Sequence, residues 1–214
     1  VPFLSGLIGF ALKALVVITV MGMVGVEMTS FVAIIGAAGL AVGLALSGTL
    51  QNFAGGVIIL ILKPFKIGDF IEAQGFTGKV KEITIFATML NTVDNKLVIV
   101  PNGPLSTGAL INYSAEELRR VDFTFGIAYG DDLPTFNKAI HDFIAADERI
   151  LKDPAPFIGL AALADSSVNF TVRVWANTPD YWDVFFAMNE KVYTKFPEYN
   201  LNIPFPQMDV HVQK

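Results

Sequence analysis

The chain has 214 residues, of which 53% are hydrophobic, and a net charge of −5. The acidic balance excludes the basic surface that a nucleic-acid-binding protein needs, and the absence of cysteine excludes disulfides and thiolate metal sites. The hydrophobic share exceeds the roughly 45–50% of a typical soluble domain, which predicts a membrane portion. The charges agree, because Lys13 and Glu27 are the only charged residues up to Leu62 and the other 33 follow it.

Two apolar runs fill the first part of the chain. Phe3–Val26 has 24 residues and Ser30–Leu62 has 33, and a membrane-spanning helix needs about 20. The link between them is short and polar, with Thr29 or Ser30 as the expected N-cap of the second helix. The runs therefore predict a transmembrane helical hairpin. Since the chain starts without Met and enters an apolar run at once, we expect further protein upstream.

The second run is too long for one simple crossing, because a helix of that length reaches about 50 Å against a hydrocarbon core of about 30 Å. Ser47-Gly48 is the expected break, since glycine weakens a helix interior. We therefore predict a membrane-crossing helix over Ser30–Leu46 and an interfacial helix over Thr49–Leu62. The second segment has a polar, small-residue side and an apolar side, the polar one formed by Gln51, Asn52, Gly55 and Gly56.

Lys63 and Lys66 come directly after the apolar region. By the positive-inside rule they place the following residues in the cytoplasm. We interpret both lysines as membrane-interface anchors that bind lipid headgroups; ion pairing with the expected upstream segment is the alternative.

The rest of the chain predicts two small domains and a terminal strand. Residues 63–114 contain short strands separated by Gly and Asn turns, which is typical of a small β domain: Asp69–Ala73, Gly78–Ile85, Phe86–Thr92 and Leu97–Pro101. Residues 115–203 alternate strand and helix, as in a ferredoxin-like α+β domain. Residues 204–214 predict a terminal strand, Met208–Val212, which comes after Pro204 and Pro206 and pairs outside its own domain.

The segment from Ala33 to Gly48 carries the strongest functional pattern. On a helical wheel Leu40 and Leu44 form a ridge, with small residues on its two sides. One flank is glycine and the other alanine, and the predicted pore-helix packing residues are Ala33, Gly36, Ala37, Gly39, Ala41 and Gly43. Small residues allow helices to approach closely in membranes. Alanines of one copy packed into glycines of the next make a head-to-tail contact that closes into a ring, with Leu40 and Leu44 as an apolar pore gate.

The same segment fits two other patterns in part. Small residues also pack two helices tightly within one subunit, and only the separate glycine and alanine flanks favour the ring. A dinucleotide-binding turn at Gly36-Ala37-Ala38-Gly39 is excluded by context. It needs an acidic residue about 20 positions later, and the next acidic residue is Asp69.

Longer stretches of the sequence are similar to one known family. The run GAAGLAVGLALSGTLQNFAGGVIILILKPFKIGDFIE resembles the pore helix and following segment of the small-conductance mechanosensitive channel (MscS-like) family. Val100-Pro101-Asn102-Gly103 and Pro206-Gln207-Met208-Asp209-Val210 resemble later parts of the same family, in the same order.

The resemblance implies a homoheptamer in a bacterial inner membrane, opened by membrane tension and releasing ions and small osmolytes during hypo-osmotic shock. It implies an Sm-like β domain, a cytoplasmic cage built by the α+β domains, and an axial C-terminal strand. It assigns the gate to Leu40 and Leu44 and hinge roles to Gly48, Asn52 and Gly56. Ser47 departs from the family, whose close members carry Gln.

No enzyme, cofactor or metal site is predicted. His141 and His211 are the only histidines and lie far apart in sequence, and no serine stands in a nucleophile elbow. The expected partners are identical subunits, lipid, and permeating ions and small solutes. Two further hypotheses stay open: solute sensing by the α+β domain, and a membrane scaffold that conducts nothing.

Overall fold

The computed structural model describes residues 2–208, 210 and 211, with side chains described at residues 5 and 6 and from residue 8 onward. Contacts divide the chain into two compact units, and the division falls between Ile111 and Asn112. Each unit has its own hydrophobic core.

The first unit begins with two helices, α1 over Pro2–Met23 and α2 over Thr29–Leu62. Both apolar runs are therefore helical, as predicted. The predicted N-cap is wrong: Met28 precedes α2 and makes no side-chain capping bond, while Thr29 and Ser30 lie inside the helix. The backbone explains this, because Met28 O already accepts the first helical hydrogen bond, from Val32 N at 3.0 Å.

The predicted break at Ser47-Gly48 is also wrong, because α2 is one continuous helix of 34 residues. A glycine in a helix interior costs about 1 kcal/mol relative to alanine, but it keeps its backbone N–H and C=O. Ser47 stays within the helix by donating from Oγ to Leu44 O at 2.8 Å. The helix ends where Lys63 takes a left-handed conformation with φ of 49° and donates its N–H to Ile59 O.

A five-stranded sheet follows α2. Its strands are β1 (Phe70–Ala73), β2 (Phe76–Ile83), β3 (Ala87–Asn91), β4 (Leu97–Pro101) and β5 (Leu110–Asn112), in the order β4-β3-β2-β1-β5. Strands β1 to β4 confirm the four predicted ones within a few residues. The short helix α3 (Asn102–Thr107) and β5 were not predicted.

The core of this unit joins the sheet to the end of α2. Ile71, Val80, Leu90 and Val100 come from four strands and are fully or almost fully buried. Ile59 of α2 is fully buried in the same cluster, and so is Phe65 just beyond the helix. The last turns of α2 therefore fold as part of the β domain.

The second unit is an α+β domain. Its elements are β6 (Leu118–Ile127), α4 (Leu133–Ala145), β7 (Phe157–Leu163), β8 (Val168–Asn177) and α5 (Tyr181–Lys195), and the antiparallel sheet has the order β6-β8-β7. The two predicted alternating strands and two predicted helices are present. Strand β7 was not predicted. A ferredoxin-like fold has a fourth strand after the second helix, and the described residues form three strands here.

The sequence patterns explain how this domain closes. Alternate residues of β8 are buried on one face, and α4 covers that face with Phe136, Ile140 and Phe143. Asp132 caps α4, because its side chain accepts from Thr135 N at 3.0 Å. Phe136 stacks on Phe170 of β8 with ring centroids 4.0 Å apart.

The C-terminal segment leaves this domain after a short 3-10 helix over Phe196–Tyr199. Among its described residues, 202–208, 210 and 211, no strand is formed. Asp209 and the residues from Val212 onward, which belong to the predicted terminal strand, lie outside the described residues. Since that strand was predicted to pair with other copies, it stays a prediction.

A buried carboxylate is paired with two cations in the connection that follows α4. Arg149 donates to Asp147 through Nε at 2.9 Å and Nη2 at 2.8 Å, and Lys191 Nζ of α5 lies 3.7 Å from the same carboxylate. The Asp147 side chain is only 7% exposed. The hydrogen bond from Arg149 lowers the pKa of Asp147 below its ordinary value of 3.8.

Replacing Asp147 with Asn should lower the free energy of unfolding by about 1–2 kcal/mol at neutral pH, because two cations lose their partner. The folded pKa is depressed, so this contribution is complete above the ordinary pKa of 3.8 and disappears as the pH falls through the lower folded value. Denaturant unfolding at several pH values, followed by tryptophan fluorescence, measures it, since Trp175 and Trp182 are the only tryptophans and both lie in this unit.

Glu148→Gln, at the adjacent exposed position, is the matched control and should have little effect. A loss in Asp147→Asn that persists unchanged at the lowest pH would contradict the assignment.

Candidate pore helix and its junction with the β domain

The upper part of α2, over residues 29–50, has no side chain buried within the chain. Leu40 and Leu44, the predicted gate residues, are 68% and 66% exposed. Long apolar side chains on a folded surface need lipid or another protein surface around them. The exposed leucines therefore require something outside this chain.

The predicted packing residues are exposed as well. A Cβ built on Gly36, Gly39 or Gly43 would meet no atom within 4 Å, and the same holds at Gly48. Ala33, Ala37 and Ala41 are also exposed. The glycine flank is thus an open groove in the single chain, and its packing against alanines of another copy stays a prediction.

The lower part of α2 is in a different environment. A Cβ on Gly55 would lie 2.5 Å from Asn102 O, and one on Gly56 would lie 2.4 Å from Ile85 O. Both targets are backbone atoms, which cannot move aside cheaply. These two glycines allow the helix backbone to approach the β domain directly. The polar side of the predicted interfacial helix therefore packs on the β domain.

Asn102 organises the surface that receives the helix. It is fully buried, and both polar atoms of its side-chain amide are hydrogen-bonded. Its Oδ1 accepts from Thr88 Oγ1 at 2.8 Å and its Nδ2 donates to Thr84 O at 2.9 Å. Its backbone N–H donates to Phe86 O at 2.9 Å. A buried amide with satisfied donors and acceptors fixes the geometry around it.

Asn52 adds a direct bond across this junction. Its Oδ1 accepts from Gly103 N at 2.9 Å, between residues 51 positions apart. Phe53 of the same helix turn lies beside Phe86, with ring centroids 6.3 Å apart. The hinge roles of Gly48, Asn52 and Gly56 stay predictions. The structure places Asn52 and Gly56 against the β domain, whereas a Cβ on Gly48 would meet no atom within 4 Å.

Sequence reasoning missed Asn102 and Thr88 as site residues. The sequence signal for Asn102 was the stretch Val100–Gly103, which resembles the family but for which no role was predicted. Thr88 stands in an ordinary strand pattern, so only the fold reveals that its hydroxyl meets Asn102.

The predicted membrane anchors, Lys63 and Lys66, make few side-chain contacts that would indicate a role. The side chains of Lys63 and Lys66 are exposed, and Lys66 donates its backbone N–H to Asp69 Oδ2 at 2.9 Å. Their role at a membrane stays a prediction. Within residues 2–208, 210 and 211, no group of three or more His, Cys, Asp or Glu side chains is placed to hold a metal ion.

Comparison with known proteins identifies the family. Residues 48–115 match the family model described as mechanosensitive ion channel, beta-domain, and residues 121–203 match mechanosensitive ion channel MscS, C-terminal. The small-conductance mechanosensitive channel of Edwardsiella ictaluri is 46% identical over 99% of this chain and 74% of its own length. This chain belongs to the MscS family of mechanosensitive channels.

Solved structures agree with the MscS assignment. The closed-state crystal structure of Helicobacter pylori MscS matches with a TM-score of 0.91 and 34% identity, over 100% of this chain and 85% of that one. Arabidopsis thaliana MSL1 matches with a TM-score of 0.78 at 20% identity, over 94% of this chain and 75% of that one, which shows the shared fold. Membership makes this chain a membrane protein and part of a mechanosensitive channel, and the family is one of channels rather than of enzymes.

The two N-terminal helices of this MscS chain differ in the length of their apolar stretches. Helix α2 is long and apolar enough to cross one, and none of its most apolar window is buried in the chain. In α1 the apolar stretch with described side chains, Ile8–Met23, is shorter.

Replacing Gly56 with Ala should loosen the junction between α2 and the β domain. The added methyl must displace the Ile85 carbonyl, and overpacking of this kind costs about 1–3 kcal/mol. Amide hydrogen exchange at Gly103, whose N–H reaches Asn52, should become faster. Gly48→Ala adds the same methyl where nothing lies within 4 Å in this chain, so it should leave that amide unchanged. Equal effects of the two variants on Gly103 would contradict the packing role of Gly56.

Proposed function

We propose that seven copies of this chain form a tension-gated channel in a bacterial inner membrane, which releases ions and small osmolytes during hypo-osmotic shock. The observation that carries the proposal is the exposed leucine ridge of α2 between two open flanks of small residues. In a member of the MscS family, this surface is suited to line a pore.

The ring is supported by the chemistry of the two flanks. Gly36, Gly39 and Gly43 leave room for an approaching backbone, and Ala37 and Ala41 offer small side chains to fill it. The glycine flank and the alanine flank lie on different sides of one helix, so the contact between neighbouring copies is head-to-tail. A closed ring of copies gives every glycine flank an alanine partner. The ridge with Leu40 and Leu44 then faces the axis.

The gate works by excluding water. Two stacked rings of leucine form an apolar constriction that water leaves even when the hole is not sterically filled. Neither ring carries charge, so the constriction itself discriminates weakly between ions.

Tension acts through the area that the channel occupies in the membrane. When two packed arrangements of the α2 helices occupy different membrane areas, tension favours the arrangement with the larger area. The free-energy difference that tension adds is proportional to the difference in area. Helix α1 faces lipid in this account and transmits the pull, α1 and α2 both crossing the membrane. The C-terminal domains are cytoplasmic, with Lys63 and Lys66 at the headgroups.

The contacts with the β domain fix the lower end of α2 while its upper part changes tilt. The helix is held at Gly55 and Gly56, whereas Gly48 has no contact beyond its helix. A change in the tilt of the upper part therefore concentrates between these positions, which is consistent with a hinge role for Gly48.

Replacing Leu44 with Ser in the full-length protein should lower the tension at which the channel opens. Each serine weakens the apolar constriction by up to about 1.5–3 kcal/mol, the value of one buried leucine side chain. Suction applied to membrane patches measures the threshold. Leu46→Ser is the matched control, since Leu46 lies on the opposite side of the helix and is also an exposed leucine.

Threshold and stoichiometry are tested separately. An unchanged or higher threshold in Leu44→Ser, with a lowered one in Leu46→Ser, would disprove the pore assignment.

Native mass spectrometry of the full-length protein should give seven copies. Survival of a bacterial strain without its own mechanosensitive channels should rise after osmotic downshock when this protein is expressed.

A further inference from the structure

The C-terminal segment is tied to its own domain by one carboxylate. Asp131 Oδ2 accepts from Asn202 N at 2.8 Å, and Oδ1 accepts from Asn202 Nδ2 at 2.9 Å. The same Oδ2 also accepts from Ala128 N at 3.3 Å. Bonds of this kind to an ionised carboxylate are stronger than those between neutral groups.

The loop that carries Asp131 is shaped for this contact. It runs from the end of β6 to the start of α4, and Gly130 within it has a φ of 96°, which favours glycine. Ala128 N donates to Asn202 O at 3.0 Å. The backbone of Asn202 is thus bound at both its N–H and its C=O, and its side chain at the amide.

A second contact holds the segment five residues later. Gln207 N donates to Ser166 Oγ at 3.0 Å. Ser166 lies in the turn between β7 and β8, and Tyr129 Oη binds that turn by donating to Ala164 O at 2.7 Å. Tyr129 belongs to the same loop as Asp131, so the two contact points are linked to each other.

Between these points the segment is stiff and its side chains are exposed. Pro204 and Pro206 restrict the backbone. Beyond the buried anchor Leu201, which is 3% exposed, Phe205 and Met208 are 82% and 84% exposed. Beyond Leu201 the segment therefore owes its direction to the hydrogen bonds at Asn202 and Gln207, and side-chain burial contributes little.

We propose that Asp131, assisted by Ser166, is a positioning residue that sets the path by which the C-terminal segment leaves the α+β domain. In the assembled channel this clamp directs the chain beyond Gln207, where the terminal strand is predicted, toward the other copies. The clamp itself follows from contacts within one domain, and only this last consequence rests on the proposed function.

Hydrogen exchange on the full-length protein tests the clamp directly. In Asp131→Ala, exchange at the amides of Asn202 and Gln207 should be about ten-fold faster or more. Asp131→Asn keeps an acceptor oxygen and should restore part of the protection. Asp132→Ala is the matched control: it removes the cap of α4, so it should lower the thermal stability of the domain while leaving these two amides unchanged.

A positional readout separates the clamp from general stability. Val210, 72% exposed, can be replaced by Cys in a chain that has no other cysteine. Disulfide formation between copies at position 210 should be slower in Asp131→Ala than in Asp132→Ala. Unchanged exchange at Asn202 and Gln207 in Asp131→Ala would overturn the clamp, whereas faster exchange without any cross-link at position 210 in the parent would count against the proposed assembly alone.

Discussion

The close contact of Gly55 and Gly56 with Ile85 and Asn102 is the constraint on which the rest of this structure depends. It divides one continuous helix into a part that belongs to the β domain and a part that finds no partner in the chain. Asn102 makes this contact specific, because its amide is satisfied only when β3, the turn before it and α3 are all in place. The helix is therefore fixed at one end by polar and backbone contacts and left apolar and exposed at the other.

This division suits a device that responds to membrane tension. A helix that was buried along its whole length could not change its packing in the membrane without unfolding its domain. Here the exposed part can exchange one apolar packing for another, while the buried part keeps the β domain attached. The hinge function of Gly48 and the clamp at Asp131 are two proposals of the same kind, since each concerns where a chain segment is free to move and where it is held.

The order of apolar and polar residues along the chain predicted most of the helices and strands. Apolar runs predicted the helices α1 and α2, and alternation predicted β1 to β4, β6 and β8. Strand β7 escaped because Phe157–Leu163 is a mostly exposed edge strand without polar alternation. The break at Ser47-Gly48 was wrong because glycine only weakens a helix. Asn102, Thr88 and Asp131 could not be found from sequence, since each acts on residues that only the fold brings near. Leu40 and Leu44 are exposed like every other residue of 29–50, so their position on an axis stays a prediction.

The most direct test of the account is the accessibility of position 44 in the conducting channel. The 214 residues contain no cysteine, so Leu44→Cys introduces the only thiol among them for a charged thiol reagent. Applied while tension holds the channel open, the reagent should reduce the current through Leu44→Cys and leave that through Leu46→Cys unchanged. Loss of current in Leu46→Cys with none in Leu44→Cys would show that the leucine ridge faces away from the pore and would contradict the account.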